Sequence, residues 1–332
     1  HVVAVEVAGP GFVNFHLAPT WLHEVLAQVV EAGVDGWGRS DAGAGRRVDI
    51  EFVSANPTGP LHAGHARGAV YGDVLARALE RTGHDVTREF YLNDRGVQMQ
   101  TFGASLRARA AGEVPPEGGY HGQYIVDWAA ELPADADPTE WGYAHALADQ
   151  REVLAALGVH FDVWFSERSL VASGAIDTTL DDLRERGVVY EDEGATWLRT
   201  TDFGDDKDRV LIKSDGSYTY FTPDIAYHRD KYARGFELCI DVWGADHHGY
   251  VPRMRAALEA LGHTADAFEV AITQLVKLER GGEEVKISKR TGDLIELRDL
   301  IDDLGADAVR ITYLLQSIDT RQTVDLDVAV AR

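Results

Sequence analysis

A doubly wound parallel α/β sheet carrying a helical insertion is the fold class predicted by the 332-residue sequence, on three observations. Short apolar strands alternate with amphipathic helices, an order that favours parallel pairing through right-handed crossovers. Three polar clusters, HAGH at 62–65, ADHHG at 245–249 and KISK at 286–289, each follow an expected strand. Neither internal repeats nor low-complexity tracts interrupt this plan, and the length suits about two domains.

The opening HVVAVEVAGPGFVNFHLAP alternates apolar and polar residues about a Gly-Pro-Gly break and reads as strand, turn, strand. A helix follows from about Thr20 and ends at a glycine, and the glycine-rich GWGRSDAGAGRR leads to an apolar strand from Val48 to Val53. Pro57, Gly59 and Pro60 punctuate the next loop, and a helix runs from near Gly64 to Thr82-Gly83. DVTREFYLND is a second strand and RGVQMQTFGASLRARAAG a second helix.

From about Gly112 to Gly187 the pattern loosens into an inserted, mostly helical connective region with an acidic solvated face; the short strand HFDVWFSE falls inside it. The sheet is expected to resume with VVYEDEGATWLRT and RVLIKSDGSYTYF, where SDGS makes a turn, followed by the helix TPDIAYHRDKYARG. FELCIDVWGADHHGYVPRMRAALEALG repeats the earlier device of apolar strand, glycine turn, histidines and helix. FEVAITQLVKLERGGEEVKISKRTG reads as a strand, a Gly-Gly hairpin and an exposed basic loop, LRDLIDDLGADAVRITYLLQSIDT is helical, and an apolar pattern is still running in DLDVAVAR.

Composition bounds the function. The hydrophobic content of 45% is that of a globular protein, with no apolar run long enough to cross a bilayer and no basic and apolar leader, so a soluble cytoplasmic protein without membrane association is expected. Cys239 is the only cysteine, which excludes an internal disulfide and a cysteine-based zinc cluster; within FELCIDVW it reads as a buried structural thiol. The net charge of -23 and the presence of only six lysines suit a protein hydrated at high salt, and suggest a halophilic source.

Two histidines three residues apart at a helix start share one face, beside unpaired N–H groups and the positive end of the helix dipole. That setting suits triphosphate oxygens. Alone, HxGH also fits a helix cap with incidental histidines or half of a metal site, but no third ligand of suitable spacing stands beside it. Ligands of an open parallel sheet bind at the carboxyl ends of its strands, so the three polar clusters should converge on one crevice. Lys286 and Lys289 would place two ammonium groups where the phosphates of a nucleotide gather charge, stabilising in-line displacement at the α-phosphate.

These residues carry a family resemblance. HAGH resembles the HIGH signature and KISK the KMSK signature of class I aminoacyl-tRNA synthetases, and EFVSANPTGPLHAGHARG resembles the arginyl-tRNA synthetases. The similarity extends from VEVAGPGFVNFHL through SDGSYTYFTPDIAYHRDKY and WGADHHG to VKISKRTGDLIELRDLIDDLGADAVR. It implies a Rossmann-type catalytic domain at 46–300, with the connective insertion at about 112–187. Before it come the tail of an N-terminal tRNA-contacting domain (1–18) and a helix and linker (19–45); after it, at 301–332, the start of a C-terminal helical anticodon-binding domain. Were the chain complete, reading of the anticodon would be largely lost. Ile287, where the family has Met, is a tolerable apolar exchange.

The resemblance further implies an arginine–tRNA ligase, expected to be monomeric, that converts L-arginine and ATP to arginyl-adenylate and pyrophosphate. The arginyl group then passes to the terminal adenosine of tRNA-Arg, usually at its 2′-hydroxyl. On this reading His62, Gly64 and His65 hold ATP phosphates, with His65 near the amino acid as well; Lys286 and Lys289 stabilise the α-phosphate and the departing pyrophosphate; Gly244 and Asp246 sit by the ribose. Mg²⁺ arrives with ATP, and no dedicated metal site is expected.

Glu51, Ser54, Asn56, Tyr220, Asp224 and His247 match the family's arginine pocket, which suits a guanidinium that wants planar carboxylate partners. Asp224, following Thr222-Pro223, could instead cap its helix, and His248 could stand in for His247. Glu51 lies in the otherwise apolar VDIEFV, where a carboxylate without a partner would be costly. Because an acidic protein must still hold a polyanion, a local patch of Arg67, Arg290 and Arg321 is expected. The competing readings are a small-molecule nucleotidyltransferase, which would lack Glu51, Tyr220 and Asp224 as a set, and a non-catalytic relative that binds tRNA, which would not need both histidines and both lysines.

Overall fold

The structure, a computed structural model, describes residues 1–285 and 295–327. KISK, Arg290 and the last five residues therefore lie outside the described residues. β1 (Val2–Ala8) and β2 (Phe12–Leu17) form an antiparallel hairpin, and α1 (Thr20–Gly36) follows. Gly33, at φ 66°, breaks this helix where a glycine stop was expected. None of the residues in these three elements is buried.

β3 (Arg47–Glu51), α2 (Ala66–Arg81), β4 (Asp85–Leu92) and α3 (Val97–Ala110) give the expected alternation. Next come α4 (Gln123–Glu131), α5 (Pro138–Ala156), β5 (Val163–Ser166), α6 (Glu167–Ala172) and α7 (Ala175–Glu185). β6 (Val189–Asp192), β7 (Ala195–Leu198) and β8 (Arg209–Ile212) precede α8 (Phe221–Ala233), β9 (Leu238–Gly244), α9 (Val251–Ala260) and β10 (Phe268–Thr273). β11 (Val276–Arg280) and β12 (Glu283–Val285) make the hairpin anticipated at Gly281-Gly282, both with positive φ. α10 (Leu297–Leu304), α11 (Ala306–Leu314) and β13 (Gln322–Asp325) complete the described chain.

The central sheet has five parallel strands in the order β10-β9-β3-β4-β5. The chain leaves β3 toward one edge and returns on its other side with β9, so the topological switch point lies between those two strands, where a crevice opens at their carboxyl ends. Side chains alternate along them. Val48, Ile50, Phe90, Leu92, Ile240 and Val242 pack under α2, α5, α10 and α11, whereas Cys239 and Phe268 join the apolar side chains of α7, α8 and α9 on the other face. Near the sheet centre that second face is lined by Asp49, Glu51, Glu89 and Asp241, all buried beneath α8.

Two expectations need correction. The strand at 163–166, placed within the connective region, pairs in parallel with β4 from Glu89↔Val163 to Leu92↔Ser166 and forms an edge of the central sheet. Aromatic stacking of Trp164 on Phe90 at 4.5 Å supplies the apolar contact that a four-residue strand needs there. By contrast β6, β7 and β8 do not resume the main sheet but form a separate antiparallel one. Among the described residues no helix is long and apolar enough to cross a membrane.

Candidate active site

HAGH forms a tight turn at the start of α2. His62 is extended, its Nδ1 accepts the Gly64 N–H at 3.1 Å, and His65 Nδ1 accepts the His62 N–H at 3.1 Å, a reciprocal capping box built from two imidazoles. The rings stack with centroids 3.7 Å apart. With Nδ1 of each ring accepting a backbone N–H, the ring proton belongs on Nε2. The cap reading thus describes this turn. The N–H of Gly64, one of the residues expected to hold phosphate, is donated to His62.

Neighbouring segments fix the turn. Ala63 donates to Ile295 O at 2.9 Å, Leu297 to Leu61 O at 2.8 Å, and Tyr313 Oη to Ala63 O at 3.0 Å. The chain flanking 286–294 on its C-terminal side is therefore bonded directly to the HAGH segment. Arg67 does not belong to a tRNA patch. It is only 3% exposed and donates to the carbonyls of Gln274, Thr320 and Ser317 at 3.0, 2.8 and 2.7 Å, so its charge is consumed inside the protein. Arg321 is exposed, as the patch requires.

Two adjoining cavities open at the switch point. The first, of about 420 Å³, is lined by His62, His65, Thr58, Gln98, Tyr120 and Asp246. The second, of about 390 Å³, is lined by Glu51, Tyr220, Asp224, Asp241, Gly244 and Tyr250. Val53, Ser54, Asn56 and His247 border both. The HAGH and ADHHG clusters do converge, and the residues expected for arginine share one cavity. His65 lines only the histidine-side cavity, and Gly244 lines the carboxylate-lined one while its expected partner Asp246 lines the other, although the Asp246 carboxylate lies against Gly244. His247 lines both cavities and His248 lines neither.

The loop after β3 is held in an unusual shape. Val53 and Ser54 have φ of 67° and 40°, left-handed conformations that cost about 1–3 kcal/mol each for residues with a side chain and persist only where surroundings enforce them. Ser54 Oγ donates to Glu51 Oε1 at 2.9 Å and accepts the Tyr91 N–H at 3.1 Å. Further along, Gln150 Nε2 donates to Asn56 O and Gly59 O, and Tyr124 Oη to Thr58 O.

The buried carboxylates have partners. Glu51 Oε2 accepts from Lys231 Nζ at 2.8 Å, so the Glu51 charge has an internal counter-ion as well as a face on the cavity. Asp241 accepts from Lys231 at 3.0 Å and from His228 Nε2 at 2.8 Å. Burial opposes the Asp241 charge, but the Lys231 and His228 cations outweigh it and lower its pKa; the same contacts raise those of His228 and Lys231 against their own burial. Burial pushes Asp49 up to about 7.

Asp224 does not cap α8. Its Oδ2 accepts from Tyr250 Oη at 2.5 Å, and burial, reinforced by the charges of Glu51 and Glu167, pushes it up to about 7 although the Tyr250 bond opposes this. Cys239 is buried and its thiol pushed up to about 12 by that burial, as an inert structural thiol should be. Glu51, His228 and Asp241 form the candidate metal-ligand group among the described residues. The Lys231 ammonium already lies within hydrogen-bond distance of two of them, so the group does not fit a divalent ion.

The sequence reading missed Lys231, Asp241, His228 and Tyr250. Asp241, in LCIDVWG, carried the same signal as Glu51, a lone carboxylate in an apolar strand. Lys231 had none, because HRDKYARG reads as a solvated helix end.

The family model described as tRNA synthetases class I (R), catalytic domain, matches residues 28–115 and 145–325. The chain belongs to the class I arginyl-tRNA synthetase catalytic-domain family. It is 50% identical to a protein named arginine–tRNA ligase from Bacillus licheniformis, over 98% of the chain and 62% of that relative, and 49% identical to its Bacillus subtilis namesake over the same shares. The chain thus spans about 62% of the length of these relatives. A crystal structure named for an arginyl-tRNA synthetase of Campylobacter jejuni superposes with a TM-score of 0.84 at 38% identity, covering 94% of this chain and 72% of that one. The Thermus thermophilus arginyl-tRNA synthetase superposes with a TM-score of 0.75 at 19% identity, covering 99% and 67%, and supports the fold alone. Residues 116–144, unmatched by the family model, include α4 and the start of α5.

Proposed function

We propose that the chain is the catalytic core of an arginine–tRNA ligase, which activates L-arginine with ATP and transfers it to the terminal adenosine of tRNA-Arg. The observation that carries this reading is the pairing of two cavities across one wall. One is lined by carboxylates, the other by two imidazoles at a helix N-terminus. Arginine fits the first: Asp224 faces the guanidinium, while Glu51, Ser54, Asn56, Tyr220 and His247 surround the rest. ATP fits the second, where the Nε2–H groups of His62 and His65 donate to phosphate oxygens and Asp246 lies beside the ribose.

An arginine carboxylate oxygen then attacks the α-phosphate in line as the bond to pyrophosphate breaks. Lys286 and Lys289 take up the charge of the α-phosphate and of the leaving group. A ribose hydroxyl of the terminal adenosine next attacks the mixed anhydride, and AMP leaves. Mg²⁺, which neutralises polyphosphate charge, would come bound to the nucleotide, and His62 and His65 orient the phosphates it rides on.

The same reading keeps 46–300 as the catalytic domain, flanked by the tail and the start of tRNA-binding domains, in a monomeric cytoplasmic enzyme. The excess of 55 acidic over 32 basic residues supports a halophilic source. The test is arginine-dependent ATP–pyrophosphate exchange at high salt, with and without tRNA-Arg. Exchange driven by another amino acid would refute the arginine assignment, and its absence from folded protein under every condition would refute the enzyme.

A further inference from the structure

Lys231 is fully buried on α8. Its Nζ lies 2.8 Å from Glu51 Oε2, 3.0 Å from Asp241 Oδ1 and 3.2 Å from Asp49 Oδ1, with the Tyr227 ring centroid 4.5 Å away. The ammonium donates to Glu51 and Asp241 and lies against a third carboxylate, Asp49, as an ion pair without a hydrogen bond, so two fixed acceptors orient it. Stability alone is a poor reason for such a cluster, since buried ion clusters are often replaceable by apolar residues at no loss.

From Glu51 the contacts lead to the cavities. Its second oxygen holds Ser54 Oγ, and Ser54 Oγ holds the Tyr91 N–H. Ser54 and Val53, both left-handed, border the carboxylate-lined and the histidine-lined cavities at once. A strained two-residue wall between two ligand sites is thus tied, through one carboxylate, to a lysine that touches neither site.

We propose that Lys231 is a positioning residue: through Glu51 and Ser54 it holds the Val53–Ser54 wall, and so sets the approach of the arginine carboxylate to the α-phosphate. This rests on the arginine–ATP reading above. Asp49, which faces Lys231 and does not line the cavities, completes the charge around the ammonium.

Ser54→Ala cuts the last link without leaving a buried charge unpaired. It should lower kcat of arginine-dependent exchange, measured with tRNA present, about tenfold while ATP affinity changes less than about twofold, the pattern of a lost positioning contact. Lys231→Met should do the same with a lower melting temperature. Adding Asp49→Asn to Lys231→Met should recover melting temperature but not kcat, a separation that a merely structural lysine would not produce. Hydrogen exchange at the Ser54 and Tyr91 amides gives a readout without activity, and should be faster in Lys231→Met/Asp49→Asn than in the unsubstituted chain. Unchanged amide protection, or kcat recovered together with melting temperature, overturns the proposal. If the unsubstituted chain shows no arginine-dependent exchange, the functional reading falls, and amide exchange alone still decides whether Lys231 holds the wall.

Discussion

Lowering the pH from 8 to 6 should weaken arginine binding, with Asp224 as the group responsible. Burial holds its carboxyl at about 7, beside Tyr250 Oη and within reach of the charges of Glu51, Glu167 and His228. A guanidinium binds the carboxylate and not the acid, so the ionised fraction limits affinity. For a group at about 7 that fraction falls from about nine-tenths at pH 8 to about one-tenth at pH 6, which raises the apparent Kd for arginine about tenfold. Binding at pH 7 should release about half a proton per arginine.

The effect on the unliganded fold runs the other way. With its folded pKa above the usual carboxylate value, Asp224 contributes stability that is complete below about 4 and is lost as the pH rises through about 7. Titration calorimetry at pH 6, 7 and 8, in two buffers of different ionisation enthalpy, measures both affinity and proton release. Asp224→Asn should bind arginine weakly at pH 8 and lose the pH dependence. Affinity that is flat between pH 6 and 8, or that tightens on acidification, would refute the assignment.

Arg67→Met should destabilise the fold by about 3 kcal/mol or more, since three buried carbonyls lose charge-assisted donors, as a urea midpoint would show; tRNA affinity of the folded protein should not change. His62→Asn should keep most of the helix-cap stabilisation, because the asparagine oxygen can accept the Gly64 N–H, whereas His62→Ala costs about 1 kcal/mol; both should slow ATP–pyrophosphate exchange, and equal melting temperatures for the two variants would deny the cap. The melting temperature of the unsubstituted chain should rise with KCl into the molar range as self-repulsion is screened, and a maximum at low salt would count against a halophilic origin.

What was legible in the sequence was local. HAGH and ADHHG stand out because strand, turn and helix lie within a few residues of one another, and the glycines at 33, 281 and 282 mark breaks that depend only on their own backbone angles. Features made by distant pairing were hidden. Val163–Ser166 looks peripheral until its pairing with Glu89–Leu92 is known. Arg67 reads as a surface cation two residues past a phosphate motif, yet its acceptors lie more than 200 residues along the chain. Lys231 belongs to the same class: Glu51, its shortest contact, is 180 residues earlier. Glu51 was found because a carboxylate in an apolar strand needs a reason, and the partner that supplies it gave no signal.

The strand order has a consequence for how the chain is made. β3, the middle strand, pairs with β4 soon after both emerge, but its other neighbour β9 arrives about 190 residues later. Closing so long a loop is slow, so a ribosome-bound chain carries β3 as an open sheet edge for much of its synthesis. Asp49 and Glu51 place two inward carboxylates on that unfinished strand, with Lys231 and Asp241 still to come. Inward charge is a recognised guard against pairing with a stranger's strand. Glu51, which later lines the carboxylate-lined cavity, and Asp49, which lies beneath it, would thus guard the nascent chain against aggregation until its own β9 completes the sheet.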